Sequence, residues 1–390
     1  MPHAERTLRD RTAIVGVGYT DYSRDSGVST QTLALRAIRA ALDDAGLGVR
    51  DVDGVACHRV GDSVDPAQVA QGLGIADVRF VRDVFGGGSA SVGTLVDAAM
   101  AVASGMAECV VCWRALNSRS EGRMGSATGP AAAAGDAQYW IPHGHLTPPQ
   151  LFAMETRAYL HRWDYAAEDL GRVAITQREH ARLSPRAMMT QPLTMEDYLA
   201  SRWISDPLRL FDCCLETDGA VALVVTTAER ARDLRKPAVL ISGAAFGGGY
   251  QLTSNHWSDR SVAPAVRMAP RLYASAGIGP EEIDVAEFYD AFTPLVLMQL
   301  EAYGFCKPGE AAAMVADGAT ALGGSLPVNT HGGHLSEGYV HGLNHVVEAV
   351  NQLRGACGPR QVPGAEVALA TSQPGMLSGA TSAVVLRQAA

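Results

Sequence analysis

Lysine is nearly missing from this 390-residue sequence: the 32 basic residues include only Lys236 and Lys307, and each precedes a proline. A Schiff-base mechanism needs a reactive amine and therefore has few candidates. The sequence also lacks a basic run and has a net charge of −9, which argues against a nucleic-acid-binding surface. It contains no run of about 20 apolar residues and no N-terminal signal or transit pattern. We therefore predict a cytoplasmic protein.

Cysteine is also sparse, and its odd count of seven does not suggest a disulfide framework. The single C-x-x-C pair, Cys109 and Cys112, lies in an apolar run that is typical of a strand. Residues three apart on a strand face opposite sides of the sheet. The pair is therefore predicted to be buried thiols and not a metal or redox site.

What the sequence does contain is a repeated pattern of strands and helices. A predicted strand over 12–18 precedes a helix over Thr30–Ala45, which ends at Gly46 in the place of a left-handed cap. Residues 237–288 repeat this order without a gap, with a predicted strand over 237–243, a helix over 263–276 and a strand over 283–288, at one offset, 231, taken from Ala276 and Ala45. Each copy continues into a glycine-rich turn, a long helix and an apolar strand. These segments begin at Gly86 and at Gly332, and an internal duplication explains them.

The alternation of strands and helices predicts an α/β fold in which helices cover both faces of parallel sheets. Two duplicated βαβ-type halves form a five-layer α/β/α/β/α body. The predicted N-terminal half is 1–236 and the C-terminal half is 237–390. A loop subdomain over about 115–206 is inserted in the first half, and it includes the low-complexity stretch 125–135. We expect this insertion to cover the mouth of a cleft.

A family resemblance rests on motifs spread along most of the chain. They are the run Pro207–Cys214, the strand entry Asp218-Gly219-Ala220, and the segments 287–292 and 329–333. Taken in this order, they resemble the thiolase superfamily. Within it, the sequence is similar to the lipid-transfer-protein branch, which is related to the thiolase of sterol carrier protein x. This resemblance implies the thiolase fold.

The sequence departs from thiolases at all four chemical positions. Gly88 stands where a thiolase carries its nucleophilic cysteine, so the thiol is missing. Tyr289 replaces an asparagine that helps to hold a water, and Tyr339 replaces the oxyanion-binding histidine of the G-G-x-x-x-x-G-H-P loop. The second cysteine corresponds to Ser372. Condensation or thiolysis through an acyl-cysteine is therefore excluded.

A thiolase scaffold without its cysteines can still bind a CoA thioester and stabilise an enolate. The sequence resembles the thiolase-like aldolases of bacterial steroid side-chain degradation. They cleave a 17-hydroxy steroid-22-oyl-CoA by a retro-aldol reaction to a 17-ketosteroid and propionyl-CoA. The resemblance implies that one of Tyr289 and Tyr339 acts as the base and the other as the acid, without fixing which is which. Asp290, His334 and His341 are the supporting or relay candidates.

The oxyanion or substrate pocket that the same resemblance implies consists of Gly88, Ser89, Gly333, Ser372 and Gly375. No cofactor is expected beyond the CoA of the substrate. A zinc set could be assembled from four histidines, but no carboxylate pattern completes it, so no metal is predicted. The histidines are His143, His145, His341 and His345.

The resemblance also implies partners. Thiolase folds dimerise, and we expect a homodimer through the strand Cys109–Trp113. An OB-fold acyl-CoA-binding protein or hydratase subunit domain is expected on each protomer, which gives a heterotetramer. The CoA phosphates would contact that partner or Arg114, Arg119 and Arg123. Two alternatives stay open: a thiolase-like acyltransferase subunit, and a non-catalytic protein that binds acyl-CoA or lipid.

Overall fold

The computed structural model describes residues 8–123, 138–248, 259–376 and 379–389, and these contain eleven strands. The predicted low-complexity stretch 125–135 lies outside the described residues. The strands are β1 (Thr12–Tyr19), β2 (Gly54–Arg59), β3 (Phe80–Phe85), β4 (Cys109–Asn117), β5 (Trp203–Ser205), β6 (Leu208–Arg209), β7 (Asp218–Thr227), β8 (Val239–Gly247), β9 (Val285–Glu287), β10 (Val367–Thr371) and β11 (Thr381–Gln388).

Twelve α-helices occur in the same described ranges. They are α1 (Thr30–Ala45), α2 (Pro66–Leu73), α3 (Ser91–Ala103), α4 (Pro148–Trp163), α5 (Ala167–Ala181), α6 (Met195–Ala200), α7 (Ala228–Ala231), α8 (Ala269–Ala276), α9 (Thr293–Ala302), α10 (Ala311–Ala316), α11 (Gly333–Ser336) and α12 (Leu343–Leu353). None of those described is long and apolar enough to cross a membrane.

Helix α1 illustrates how the local sequence sets an element. Its N-cap Ser29 accepts a hydrogen bond from the Thr32 N–H, and the chain leaves the helix through Gly46 at φ 73°. The helix lies directly on strand β1. A Cβ on Gly18 would lie 2.1 Å from the Ala37 carbonyl oxygen, so only glycine permits this approach.

The internal duplication is visible in the order of the strands. The large sheet runs β3-β2-β4-β7-β1-β8-β11-β10-β9. Strands β2, β4, β7 and β1 are repeated as β9, β10, β11 and β8, and the repeat preserves the direction of every pairing. The first pair is parallel in each half, and the others are antiparallel. The two halves join where β1 pairs with β8 through only two residue pairs.

Five layers follow from how the strands divide their side chains. Cys109, Val111 and Trp113 of β4 pack toward α1 and α2, whereas Val110 and Cys112 pack toward α3 and α12. Helices α3 and α12 thus lie between the two half-sheets, and α8 and α9 pack on the outer face of the second. The predicted α/β architecture and the opposite orientation of Cys109 and Cys112 are confirmed. The domain boundary at 236/237 and the limits of the loop subdomain stay predictions.

Two predictions about elements are wrong. The helix expected over 263–276 is a 3-10 turn over Pro264–Arg267 followed by α8, because proline lacks the N–H that a continuous helix needs. The strand Cys109–Trp113 cannot form a dimer interface, since β4 is fully buried between β2 and β7. The edge of the first half-sheet is β3 instead, which pairs only with β2 among the described strands.

Candidate active site

Tyr289 and Tyr339 come from different segments of the chain, and hydrogen bonds to the main chain of each residue fix its position. Tyr289 follows β9, and its N–H donates to Thr371 Oγ1 at 3.1 Å, while its carbonyl accepts from Gln299 Nε2 at 2.8 Å. Tyr339 lies between α11 and α12. Its N–H donates to Thr217 Oγ1 at 2.9 Å, and that hydroxyl donates back to the Tyr339 carbonyl at 3.1 Å. Both rings are therefore held from their main chains.

The phenolic oxygens of Tyr289 and Tyr339 are hydrogen-bonded to each other at 3.0 Å. Both side chains are almost entirely buried, with 3% and 5% exposure, and both line the same cavity. Burial raises the pKa of each phenol above its usual value of about 10. The pair is therefore two neutral phenols that can pass a proton directly from one to the other.

Gly88, the position of the missing cysteine, explains where the Tyr289 ring lies. A Cβ placed on Gly88 would lie 2.2 Å from both Cζ and the phenolic oxygen of Tyr289. No real side chain tolerates such a distance. The phenol therefore occupies the space that any side chain at position 88 would need, next to the 3-10 turn that leads into helix α3.

The cavity in front of the tyrosines has a volume of about 1100 Å³, which is slightly above the usual range for ligand sites. Much of its wall is apolar, with Phe152, Phe211 and Leu335 among the lining residues. Five arginines also line it, and they are the cationic groups that an anionic ligand would meet. They are Arg24, Arg119, Arg123, Arg178 and Arg202.

Asp290 lies behind the phenols and holds the loop that carries Tyr339. Its carboxylate accepts the backbone N–H groups of His334 at 2.9 Å and of Leu335 at 3.3 Å. His345 Nε2 lies 3.1 Å from the same carboxylate. Burial raises the pKa of Asp290, and His334 opposes that shift. Among the described contacts, none joins Asp290 to a phenolic oxygen.

His334 and His341 flank Tyr339 on two sides. The His334 ring packs edge-on against Tyr289 and Tyr339, with ring centroids 4.9 and 4.8 Å away, and its Nε2 lies 3.1 Å from Asn344 Oδ1. The His341 ring lies 5.0 Å from that of Tyr339 and lines the cavity. Of the three supporting candidates, His341 is therefore the one on the cavity wall.

A buried cluster of imidazoles and carboxylates continues behind Asp290. His331 Nδ1 lies 3.0 Å from Glu287 Oε2, and His345 Nδ1 lies 3.9 Å from the same oxygen. The ligand atoms of these three residues are close enough to hold a metal ion, as are those of Asp290, His334 and His345. The zinc set considered from the sequence is not assembled, because His341, His143 and His145 belong to neither group.

The predicted pocket residues divide into two groups. Gly88 and Ser89 line the cavity. The remaining three lie behind the wall. A Cβ on Gly333 would lie 2.0 Å from Asp290 Oδ2, Ser372 Oγ accepts the Ser382 N–H at 2.7 Å, and the Gly375 N–H donates to Gln373 Oε1 at 2.7 Å.

Gln373, Cys213 and Cys214 are among the cavity residues that sequence reasoning missed. Gln373 could have been predicted, because it directly follows the predicted pocket residue Ser372. Cys213 and Cys214 gave no signal beyond their place in the family-like run before β7. Burial raises the pKa of both thiols above their ordinary value, so they stay protonated and are poor nucleophiles.

The expectation that Arg114 contacts CoA phosphates is wrong. Its side chain is fully buried on β4 and is paired with Asp62 and His341. A buried guanidinium without a route to solvent cannot meet a phosphate that stays at the cavity mouth. Arg119 and Arg123, the other two arginines of that prediction, do line the cavity.

Comparison with known proteins shows the family to which the chain belongs. The family model for the thiolase C-terminal domain-like fold matches residues 250–387. The steroid side-chain-cleaving aldolase of Thermomonospora curvata is 46% identical over 353 residues, which cover 88% of this chain and 90% of the relative. This chain belongs to the steroid side-chain-cleaving aldolases. The prediction of an aldolase on a thiolase fold is therefore confirmed.

Two further relatives of the aldolase agree with that assignment. The 17-hydroxy-3-oxo-4-pregnene-20-carboxyl-CoA lyase of Mycobacterium tuberculosis is 44% identical over 379 residues, covering 95% of this chain and 98% of the lyase. The solved structure of the Ltp2-ChsH2(DUF35) aldolase superposes with a TM-score of 0.91 at 43% identity, over 98% of this chain and 99% of that one. The similarity thus extends over both halves.

Proposed function

We propose that this aldolase cleaves a 17-hydroxy steroid-22-oyl-CoA to a 17-ketosteroid and propionyl-CoA. The observation that carries the proposal is the hydrogen bond of 3.0 Å between the phenols of Tyr289 and Tyr339 at the base of the cavity. A retro-aldol needs one group that accepts the hydroxyl proton and one that protonates the product carbon. Two linked phenols supply both.

The proton balance of the reaction needs no phenolate at rest. The substrate hydroxyl gives its proton to one phenolic oxygen as the C–C bond breaks and the new ketone forms. The electron pair of that bond passes to the thioester as an enolate. As it receives this proton, the first phenol passes its own proton to the second, and the second protonates the enolate carbon in the same concerted step, so neither phenolic oxygen ever carries two protons. Each tyrosine ends neutral, which agrees with the raised pKa of both.

Asp290 and His334 support the reaction by positioning the two tyrosine side chains. Asp290 holds the main chain of His334 and Leu335, and the His334 ring packs against both tyrosines. We therefore assign them the task of keeping the phenolic oxygens at hydrogen-bond distance, while Gly88 keeps the space for Tyr289 free. Gly88 and Ser89 form the wall beside the thioester, with Gly333, Ser372 and Gly375 behind the surface.

The substrate class is supported by the size and charge of the cavity. A volume of about 1100 Å³ with apolar walls suits a steroid joined to a pantetheine arm. Arg119 and Arg123 lie at the same cavity and are partly exposed, so they can meet the phosphates of CoA. We propose no cofactor beyond the CoA of the substrate, and a cytoplasmic location.

A homodimer is proposed through β3 instead of β4. Strand β3 is the edge of the first half-sheet, and its backbone can pair with a second copy. Val81 and Phe85 on this strand are 54% and 85% exposed, which is unusual for large apolar side chains. An OB-fold acyl-CoA-binding partner on each protomer remains part of the proposal, and the composition of the Ltp2-ChsH2(DUF35) aldolase supports a second component.

The test replaces one phenolic oxygen at a time. Tyr289→Phe and Tyr339→Phe keep the ring volume, and each is expected to lower the cleavage rate of the steroid acyl-CoA by about 100-fold or more, since general acid-base catalysis contributes that much. Ketone and propionyl-CoA are measured by chromatography and mass spectrometry, with the partner present. Tyr139→Phe, an exposed tyrosine, is the matched control.

Three outcomes would overturn the proposal. Rates near that of the unaltered protein in both tyrosine variants would remove the phenols from the mechanism. Tight binding of the acyl-CoA without any cleavage would favour the non-catalytic alternative. An acyl-enzyme adduct in intact-mass spectra would favour the acyltransferase alternative, which needs a nucleophile.

A further inference from the structure

His341 is held by a buried arginine that lies far away in the sequence. Arg114 Nε donates to His341 Nδ1 at 3.1 Å, and Arg114 Nη2 lies 2.6 Å from the same nitrogen. Arg114 is completely buried, and its Nη2 also donates to Asp62 Oδ2 at 2.5 Å. The backbone of His341 has φ 56°, in the left-handed region, where a non-glycine residue is uncommon.

These contacts decide the protonation of the imidazole. A guanidinium carries only donors and is always charged in proteins, so His341 Nδ1 must accept. The proton of the neutral ring then lies on Nε2. Burial lowers the pKa of His341, and the positive charge of Arg114 lowers it further. The ring is therefore a neutral donor with one defined N–H, and it cannot relay a proton through Nδ1.

The remaining N–H belongs to the wall of the reaction cavity. The ring lies on the cavity wall together with Tyr339, Gly87 and Gly88. A Cβ on Gly87 would lie 3.9 Å from His341 Nε2, so Nε2 is on the side of the glycine loop that passes under Tyr289. Gly88 of this loop belongs to the wall that the proposed function places beside the thioester.

The proposed retro-aldol leaves one charge without a partner. Both phenols are occupied with the hydroxyl proton and the carbon proton, yet the thioester oxygen becomes an enolate oxygen. We propose that His341 donates its Nε2–H to this oxygen as the enolate forms, and that Arg114 and Asp62 position the ring for this contact. This inference rests on the proposed function and assigns a third catalytic residue to it. A neutral imidazole is a known electrophile for carbonyl oxygens.

Groups from several elements face the His341 ring. Arg114 comes from β4, His58 from β2 with its ring 5.8 Å away, and Asp62 from the turn after β2, with Oδ2 4.0 Å from Nδ1. His334 and Tyr339 approach from the α11–α12 segment. The fixed charges nearest to the ring are thus one guanidinium and one carboxylate, and only the guanidinium touches it.

The first test isolates enolate formation from steroid cleavage. Propionyl-CoA, the proposed product, is incubated with the protein and its partner in D2O, and exchange of its α-protons is followed by mass spectrometry. His341→Leu is expected to slow both exchange and kcat for cleavage by about 100- to 1000-fold, the usual effect of losing one oxyanion donor, with little change in KM. His341→Gln, which keeps an amide N–H, should recover part of the rate. His161→Leu, at an exposed position of α4, is the matched control.

Failure of this inference differs from failure of the proposed function. If the unaltered protein cleaves the steroid substrate and His341→Leu stays within threefold of its exchange and cleavage rates, His341 is not the donor and only this inference falls. If the unaltered protein neither cleaves the steroid acyl-CoA nor exchanges propionyl-CoA, the proposed function falls.

A second test reads the tautomer without any turnover. Nitrogen-15 NMR of histidine-labelled protein should show for His341 an unprotonated Nδ1 and a protonated Nε2 between pH 5.5 and 8. In Arg114→Met the same ring is expected to titrate within this range, and α-proton exchange should fall about tenfold because the ring is less well placed. A protonated Nδ1 in the unaltered protein would overturn the assignment.

Discussion

The two halves of the molecule differ in the segment that precedes the central helix, which is α3 in the first half and α12 in the second. In the first half, Gly86, Gly87 and Gly88 precede α3 and offer main chain only. In the second half, the segment before α12 carries Tyr339 and His341. One half supplies empty space at the active site, and the other supplies side chains that fill it.

This difference shows how one scaffold changes its chemistry. In a thiolase the nucleophile projects from the N-terminus of the first central helix. Here that position is Gly88, and the phenol of Tyr289 from the second half occupies the space instead. Under the proposed function, the reacting group therefore changes from a thiol of the first half to a phenol of the second half.

The most direct test of this difference between the halves adds a side chain at position 88 of the first half. In Gly88→Ala, the new Cβ would lie 2.2 Å from the Tyr289 ring, so the phenol must move and lose its distance to Tyr339. We expect cleavage of the steroid acyl-CoA to fall by about 100-fold, because a displacement near 1 Å has effects of this size. Steady-state kinetics measures it.

Ser89→Ala is the matched control for Gly88→Ala. Ser89 also lines the cavity, but its described hydrogen bond uses the main-chain oxygen, which accepts from Ser382 Oγ at 3.0 Å. Its cleavage rate should stay within about threefold, as for a hydroxyl outside the mechanism. Equal cleavage rates for Gly88→Ala and Ser89→Ala would contradict the claim that the space at position 88 is needed for the Tyr289 phenol.

In the second half, the buried His331 makes the free energy of unfolding depend on pH. Burial lowers the pKa of His331, but Glu337 and Glu287 outweigh it and raise the value to about 9. The histidine of the unfolded chain titrates near 6.5. The stability from this group is therefore complete below about pH 6.5 and is lost as the pH rises through about 9. It amounts to at most about 3 kcal/mol, at 1.4 kcal/mol for each pKa unit.

Urea unfolding at pH 6.5, 7.5 and 9 measures this dependence. The free energy of unfolding of the unaltered protein should fall over that range by more than that of His331→Gln. His161→Gln, which removes an exposed histidine, should behave as the unaltered protein does. Parallel pH profiles for all three proteins would show that His331 is not the group responsible.

The smallest effect is expected where sulfur remains in the cavity. Cys213→Ala and Cys214→Ala remove thiols whose raised pKa keeps them protonated. Cleavage rates should stay within about threefold, because a protonated thiol is not a nucleophile. Loss of activity in either variant, together with a thioester adduct on that cysteine, would mean that the sulfur chemistry of the first half has survived.

Much of the scaffold could be read from the sequence. Helix Thr30–Ala45 has the predicted bounds, because apolar spacing and capping residues are local signals. The duplication was visible as a constant offset. The positions of the two tyrosines came from the family resemblance and not from any local pattern, since an aromatic residue in an apolar core is most often there for packing.

The sequence by itself determined the elements, the repeated order and the loss of the thiolase cysteine, since each of these depends on neighbouring residues or on counting. Only the tertiary structure decided that Arg114 holds His341, 227 positions away, that β3 and not β4 is the edge strand, and that Gly88 makes room for Tyr289. The physical reason is that contacts between distant segments depend on how strands align and on which volumes are already filled, and neither is encoded in the spacing of a single segment.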